Sequence, residues 1–275
     1  MWSATRWDAM ATANDRASAT GRTVTDSSSG SALAGTAKDR CTRSANQSDR
    51  RWCRYDARVR KPLTVDLLCR SAAEFSAPGV RHEESDLFGV TDGKAVGTYL
   101  EMAFKKHLAR RCTFDEGSAA KGIDFPEIKV DLKSTSLRQP QSSCPFKSAR
   151  QKVYGLGYSL LVLVYRKIDD HRKRTGRLEI QHAIFVSAEQ TADFQTTRGL
   201  RQIIDNHGNV DDVVAFFQDR MLPADEVEGR RLAEEVLRSP PPQGFLTISN
   251  ALQWRLQYSR VIERAGMVTG VRRVR

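Results

Sequence analysis

The chain lacks the features that mark membrane and secreted proteins. No run approaches the ~18 consecutive apolar residues of a membrane span. Its start shows no apolar signal core, so secretion is not expected and a cytoplasmic setting is. Cysteine is sparse: Cys41, Cys53, Cys69, Cys112 and Cys144 are scattered, odd in number and form no CxxC pair. That spacing supports neither a disulfide framework nor a zinc site, and it suits reduced thiols. The five histidines form no HxxxH or HExxH and no recognisable Ser–His–Asp order, so they read as structural or surface groups. No internal repeat is visible. Acidic charge is also short. Against 44 Lys and Arg stand 33 Asp and Glu, a net charge of +11. A polyanion partner follows, nucleic acid first and an acidic membrane surface second.

What is present is an ordinary globular composition, 40% hydrophobic and 28% charged over 275 residues. That length suits one large domain or two modest ones. Residues 1–60 stand apart. "TANDRASATGRTVTDSSSGSALAGTAKDR" has no apolar period and cannot offset its ordering entropy, so the segment reads as a disordered basic stretch. From residue 61 to 190 an α/β core with a mixed central sheet flanked by helices is expected. "LTVDLLCRSAAEFSA" has helical spacing with Thr64 as cap. "DGKAVGTYLEMAFKKHLAR" reads as a helix from about Lys94 to Ala109, with Val96, Leu100, Ala103 and Leu108 as its apolar stripe and Glu101 at the stripe's edge. "GIDFP" and "IKVDLKSTSL" form a short hairpin bent near Phe-Pro. "CPFKSARQKVYGLG" reads as a helix, and "YSLLVLVYRKI" as a strand buried on both faces. Residues 191–275 read as a helical region broken at "SPPPQG".

On the strand 128–135, Asp131 and Lys133 share a face because side chains alternate. Asp124 lies across the bend and converges on them. Two carboxylates at a hairpin make a hard-oxygen site suited to Mg²⁺, and Glu101 adds a third. A lysine beside the ion orients or deprotonates water, or stabilises charge on a phosphorane. A solvated Asp–Lys pair on a surface hairpin has the same spacing. Glu127 and Lys129 form a competing ExK, but Asp124 then stands only three residues away, so Asp131–Lys133 is preferred.

"GKAVGTYLE" followed by "GIDFPEIKVDLKST" resembles the PD-(D/E)XK nuclease core over about residues 92–136. It is especially similar to the branch containing the mismatch-repair nicking endonuclease MutH and related type II restriction enzymes. The resemblance places Glu101, Asp124, Asp131 and Lys133 at the acidic-cluster and lysine positions. It departs in having Asp131 where that branch commonly has glutamate. Residues after 140 have no obvious counterpart in the nicking enzyme, which favours restriction over mismatch repair. The implied activity is Mg²⁺-dependent cleavage of double-stranded DNA at a specific sequence, leaving 5′-phosphate and 3′-hydroxyl ends. A cognate DNA methyltransferase as a separate protein and a homodimeric assembly accompany that expectation. The rivals are a non-specific or repair nuclease on the same core, and a DNA-binding regulator with an inactive core.

DNA-contacting residues are expected in two places. In "SARQKVYGLGY", Gln151 and Tyr154 share a helix face, a QxxY arrangement similar to an element of some nucleases of this superfamily, and Lys147, Arg150 and Lys152 meet phosphates. "TISNALQWRLQYSRVIERAG" reads as helix, turn, helix, resembling a winged-helix domain whose wing is "MVTGVRRV" and whose first helix is 224–238. Tyr258, Ser259, Arg260 and Arg264 then face outward, with a helical cap on the core as the alternative. Should that face not meet DNA, Gln139, Gln141 and Ser142 near the catalytic hairpin are the next candidates.

Overall fold

The structure is a computed structural model. It describes residues 60–275 except 81, 116, 118–121, 145–146 and 250–253. The expected disorder of residues 1–60 falls almost wholly outside the described residues.

The centre of the fold is the pair β6 (Ser159–Asp170) and β7 (Thr175–Val186), an antiparallel hairpin. Residues 160–165 of β6 are all buried, as the continuous apolar run requires. Leu161, Leu163 and Tyr165 enter one core and Leu160, Val162 and Val164 the other, which is the period-two alternation of a strand covered on both faces. The strand β4 (Val130–Ser136) runs parallel to β6, with Asp131 beside Leu160 and Lys133 beside Val162. The outer edge of β7 is shared by β2 (His82–Glu84) and β10 (Val271–Arg273), both antiparallel to it. The sheet is therefore mixed, as expected, and β4 is its last strand.

Two helices cover one face. The first, α1 (Val65–Phe75), begins where Thr64 Oγ1 accepts the Leu67 amide at 3.3 Å. The second, α2 (Gly93–Ala109), is capped by Asp92 and buries Val96, Gly97, Leu100, Phe104 and Leu108. Gly97 allows close approach to β4, since a Cβ there would stand 3.4 Å from the Ser134 carbonyl oxygen. The cluster from α1, α2, β4, β6 and β7 forms the larger core.

The opposite face is covered by a three-stranded antiparallel sheet of β5 (Gln141–Cys144), β8 (Thr247–Ile248) and β9 (Trp254–Gln257). Here the helix-turn-helix expectation is overturned. Residues 254–258 alternate buried and exposed, so Trp254, Leu256 and Tyr258 go inward on a strand. The period here is two, that of a strand, not the 3.6 of a helix. The expected wing is also corrected, because β10 is an edge strand of the central sheet. Among the described residues of that segment, only α7 (Ser259–Arg264) is helical. The helices α3 (Arg150–Tyr154), α4 (Phe194–Asp205), α5 (Val210–Asp219) and α6 (Glu226–Arg238) share a third cluster around Val153, Leu200, Phe217 and Val236. No helix among the described residues is long and apolar enough to cross a membrane.

Candidate active site

The open edge of β4 collects the acidic residues. An edge strand presents amides with no strand partner, and each needs an acceptor. The amide of Leu132 donates to Asp124 Oδ2 at 3.0 Å, and that of Ser134 donates to Glu101 Oε1 at 2.9 Å. Asp124 reaches the strand because the chain doubles back beside it. Phe125 and Val130 bridge each other across a 3-10 turn at Pro126–Ile128, and Lys129 turns the corner with a φ of +51°. Lys129 thus lies at the corner and Glu127 in the turn, so the competing ExK is not on the strand.

Asp131 and Lys133 share the strand face turned away from α2, and Lys133 Nζ lies 2.8 Å from Asp131 Oδ2. That carboxylate is 4% exposed and the ammonium group's side chain 26%. Yet Asp131 Oδ2 has no aligned hydrogen-bond donor, so the contact is a charge pairing that leaves the oxygen's lone pairs undirected. Lys105, one turn beyond Glu101 on α2, closes the other side with its Nζ 2.5 Å from Asp124 Oδ1.

The charges are interdependent. Burial pushes Glu101 up to about 7, with Lys133 opposing the rise and Asp124 adding to it. Burial likewise raises Asp131 to about 6, against the pull of Lys133. Asp124 moves the other way. Burial favours its neutral form, but hydrogen bonds from Asp131, Lys105 and the Leu132 amide hold it below the usual carboxylate range. A proton taken up by the aspartate pair therefore goes to Asp131 before Asp124. Burial works against the Lys133 charge, but Asp131, Glu101 and Asp124 around it hold the ammonium above its ordinary value.

Such a site is suited to a hard divalent cation. No three His, Cys, Asp or Glu side chains among the described residues form a ready-made cage. Mg²⁺ does not need one, since it binds through one or two carboxylates and completes its shell with water and phosphate oxygens. The Asp124–Asp131 pair, repelling when both are ionised, and the undirected Asp131 oxygen fit that chemistry.

The structure brings Glu101, Asp124, Asp131 and Lys133 together. Other residues expected at the site or on DNA are placed differently. Tyr258 is wholly buried with its hydroxyl 2.6 Å from Ser142 Oγ, a correction to its expected outward position. Lys152 is 4% exposed and sits over the Trp254 ring, so it does not face phosphate. Gln151 is buried and its Oε1 accepts the Lys147 amide. Arg150 pairs with Glu235 at 2.6 Å, and Tyr154 donates to the Ser239 carbonyl. Arg260 stacks 3.7 Å over the Phe194 ring. Lys147 and Arg264 are exposed. Sequence reasoning missed Lys105, although its i+4 spacing from Glu101 places both on one helical face. It also missed Cys144 and Tyr158, which lie near Asp131 from β5 and the start of β6. Spacing gave no signal for those two.

Comparison with known proteins identifies the family to which the chain belongs. The family described as "Type II restriction enzyme NspV" matches residues 62–273. The Type II restriction enzyme NspV of Nostoc sp. (strain ATCC 29411 / PCC 7524) is 62% identical over 209 residues, covering 76% of this chain and 95% of that relative. No solved structure matches. With a match spanning nearly all described residues, the chain belongs to the NspV family of type II restriction enzymes.

Proposed function

We propose that this site-specific endonuclease cuts double-stranded DNA at the open edge of β4, with a PD-(D/E)XK set made of Asp124, Asp131 and Lys133 and supported by Glu101. The observation that carries the reading is the convergence of two electrostatically coupled carboxylates and a half-buried ammonium on one strand edge. Asp124 and Asp131 would hold Mg²⁺, with Glu101 beside them. When bound, the ion supplies Lewis acidity toward a phosphate oxygen and lowers the pKa of a water. Its carboxylate neighbours hold Lys133 protonated in the metal-free protein, which suits it to stabilise negative charge at the scissile phosphate. A water oxygen bonds to phosphorus and loses a proton to solvent as the P–O3′ bond breaks, and the departing O3′ takes a proton from water, leaving a 5′-phosphate and a 3′-hydroxyl. Exposed Lys147 and Arg264 grip backbone phosphates. A homodimer suits cutting of both strands, and a separate methyltransferase protects the host DNA in the cytoplasm.

Digestion of a sequenced plasmid with Mg²⁺ and with EDTA, followed by mapping of the ends, tests the reading. Discrete 5′-phosphate ends at one repeated sequence, seen only with divalent metal, are expected. Random ends would favour the non-specific nuclease, and binding without cleavage in any divalent metal would favour the regulator.

A further inference from the structure

The β5–β9 ribbon has two chemically opposite faces. Its register sets Gln141 across from Gln257 and Ser143 across from Arg255, and opposed residues in an antiparallel pair share a face. The other face carries Ser142, Cys144, Trp254 and Leu256, which close over the core. On the outward face Ser143, Arg255 and Gln257 are exposed and Gln141 is half-buried. No acidic residue lies on this face of either strand. Among the described residues, the hydrogen bonds of Gln141 and Arg255 are made by their backbones, which leaves the amide and guanidinium uncommitted.

We infer that this face enters the DNA major groove and that Gln141, Arg255 and Gln257, with Ser143, determine which sequence is cut. The inference rests on the reading of the protein as a duplex-DNA endonuclease. Among the described residues, the strands β5 and β9 form a ribbon to which only the two-residue β8 is added along β9, and a β-ribbon fits the major groove, where amide side chains pair with adenine and arginine pairs with guanine. The two rungs stand roughly 7 Å apart along the strand, close to two base-pair steps of about 3.4 Å each. The basic balance of the chain complements the phosphates on either side.

A reader must keep a fixed register to the cutter, because the cut lies at a set distance from the bases read. The connection exists. Thr135, two residues beyond Lys133 on β4, accepts the Gln141 amide at 2.9 Å and donates to the Gln141 carbonyl at 3.1 Å. On the other side the Tyr258 amide donates to the Pro140 carbonyl at 2.8 Å, and the buried Tyr258 hydroxyl meets Ser142. The first residue of β5 is thereby fastened to the catalytic strand, and the end of β9 is held to β5 and its lead-in at the same place. At helix α7, Arg260 stacks on Phe194 and Tyr258 is inside, which leaves Arg264 as its exposed arginine.

The test uses the full chain and the site mapped on plasmid DNA. Arg255→Lys, Arg255→Ala, Gln141→Ala and Gln257→Ala are assayed on duplexes carrying that site and each single-base-pair variant of it. Binding is measured in Ca²⁺ and cleavage in Mg²⁺. Arg255→Lys keeps the charge but loses the bidentate fork. It should bind and cut the mapped site on the order of tenfold to a hundredfold less well, lose discrimination at one base pair only, and keep wild-type affinity for unrelated duplex. The glutamine variants should do the same at a different base pair. Wild-type preference at every position in all four variants, or equal weakening on all sequences, would overturn the inference. Asp131→Ala, run alongside, should bind with full discrimination and fail to cut. If it cuts, the active-site reading is at fault, whatever the ribbon variants do.

Discussion

The Leu132 amide donates to Asp124 Oδ2 at 3.0 Å, so a carboxylate from before the turn occupies the place of a neighbouring strand. The bond spends one oxygen of Asp124 on the backbone and directs the other toward Lys105. It explains how a group seven residues before Asp131 in sequence reaches the same site without a long loop. It also means that Asp124 has a structural duty beside its proposed chemical one.

Replacement of Asp131 by Asn should abolish cleavage. The amide keeps the shape but removes the charge offered to a cation, a loss of several kcal/mol of barrier reduction and about a thousandfold or more in rate. Duplex binding in Ca²⁺ should persist through the basic surface. Wild-type turnover in this variant would remove the site from β4.

Lys133→Ala should be nearly as severe in cleavage, while Glu101→Gln should be milder. The Gln carbonyl can still accept the Ser134 amide, so the strand edge stays satisfied. Single-turnover rates of the two variants on one duplex rank them. A Glu101→Gln loss equal to that of Lys133→Ala would place Glu101 among the metal ligands proper.

Lys105 neutralises Asp124 in the metal-free protein and so competes with a cation for the same oxygen. Lys105→Met should tighten Ca²⁺ binding to the DNA-free enzyme by about tenfold, the scale of ~1.4 kcal/mol. Calorimetric titration reads this directly. Unchanged or weaker binding would show that Lys105 organises the pair and does not compete for it.

The pH dependence of stability follows from the raised carboxyls. In EDTA the folded protein holds protons that the unfolded chain releases. That stabilisation is full below the ordinary values of 3.8 for Asp131 and 4.5 for Glu101, and it is lost as pH rises toward about 6 and about 7. Asp131→Asn should therefore melt higher than wild type at pH 8, with the advantage shrinking toward pH 4. Ca²⁺ should recover the difference for wild type alone. Parallel melting curves across that range would mean that burial of Asp131 carries no charge penalty.

Deletion of Met1–Ala57 should leave cleavage and sequence preference intact, since the family match begins at residue 62. Plasmid digestion by the shortened chain checks it, and a changed cutting pattern would give that segment a functional part.

The amino-acid sequence by itself determined the features that depend on neighbours along the chain. The apolar run of β6, the stripe and cap of α2, the bend at Phe125–Pro126 and the shared face of Asp131 and Lys133 all follow from local periodicity and turn chemistry. The candidate cluster was legible for that reason, since Asp124, Asp131 and Lys133 flank one bend and Glu101 lies on the helix before it. The fate of residues 247–258 was not legible. The two-residue period of Trp254, Leu256 and Tyr258 is short, and pairing with Gln141–Cys144, more than a hundred positions away, decided for the strand. Register between distant strands likewise turned Tyr258 inward, put Val271–Arg273 on the edge of β7, and gathered Gln141 and Arg255 on one face. Such pairings are settled by which apolar faces close over the same core, and that choice depends on the whole chain.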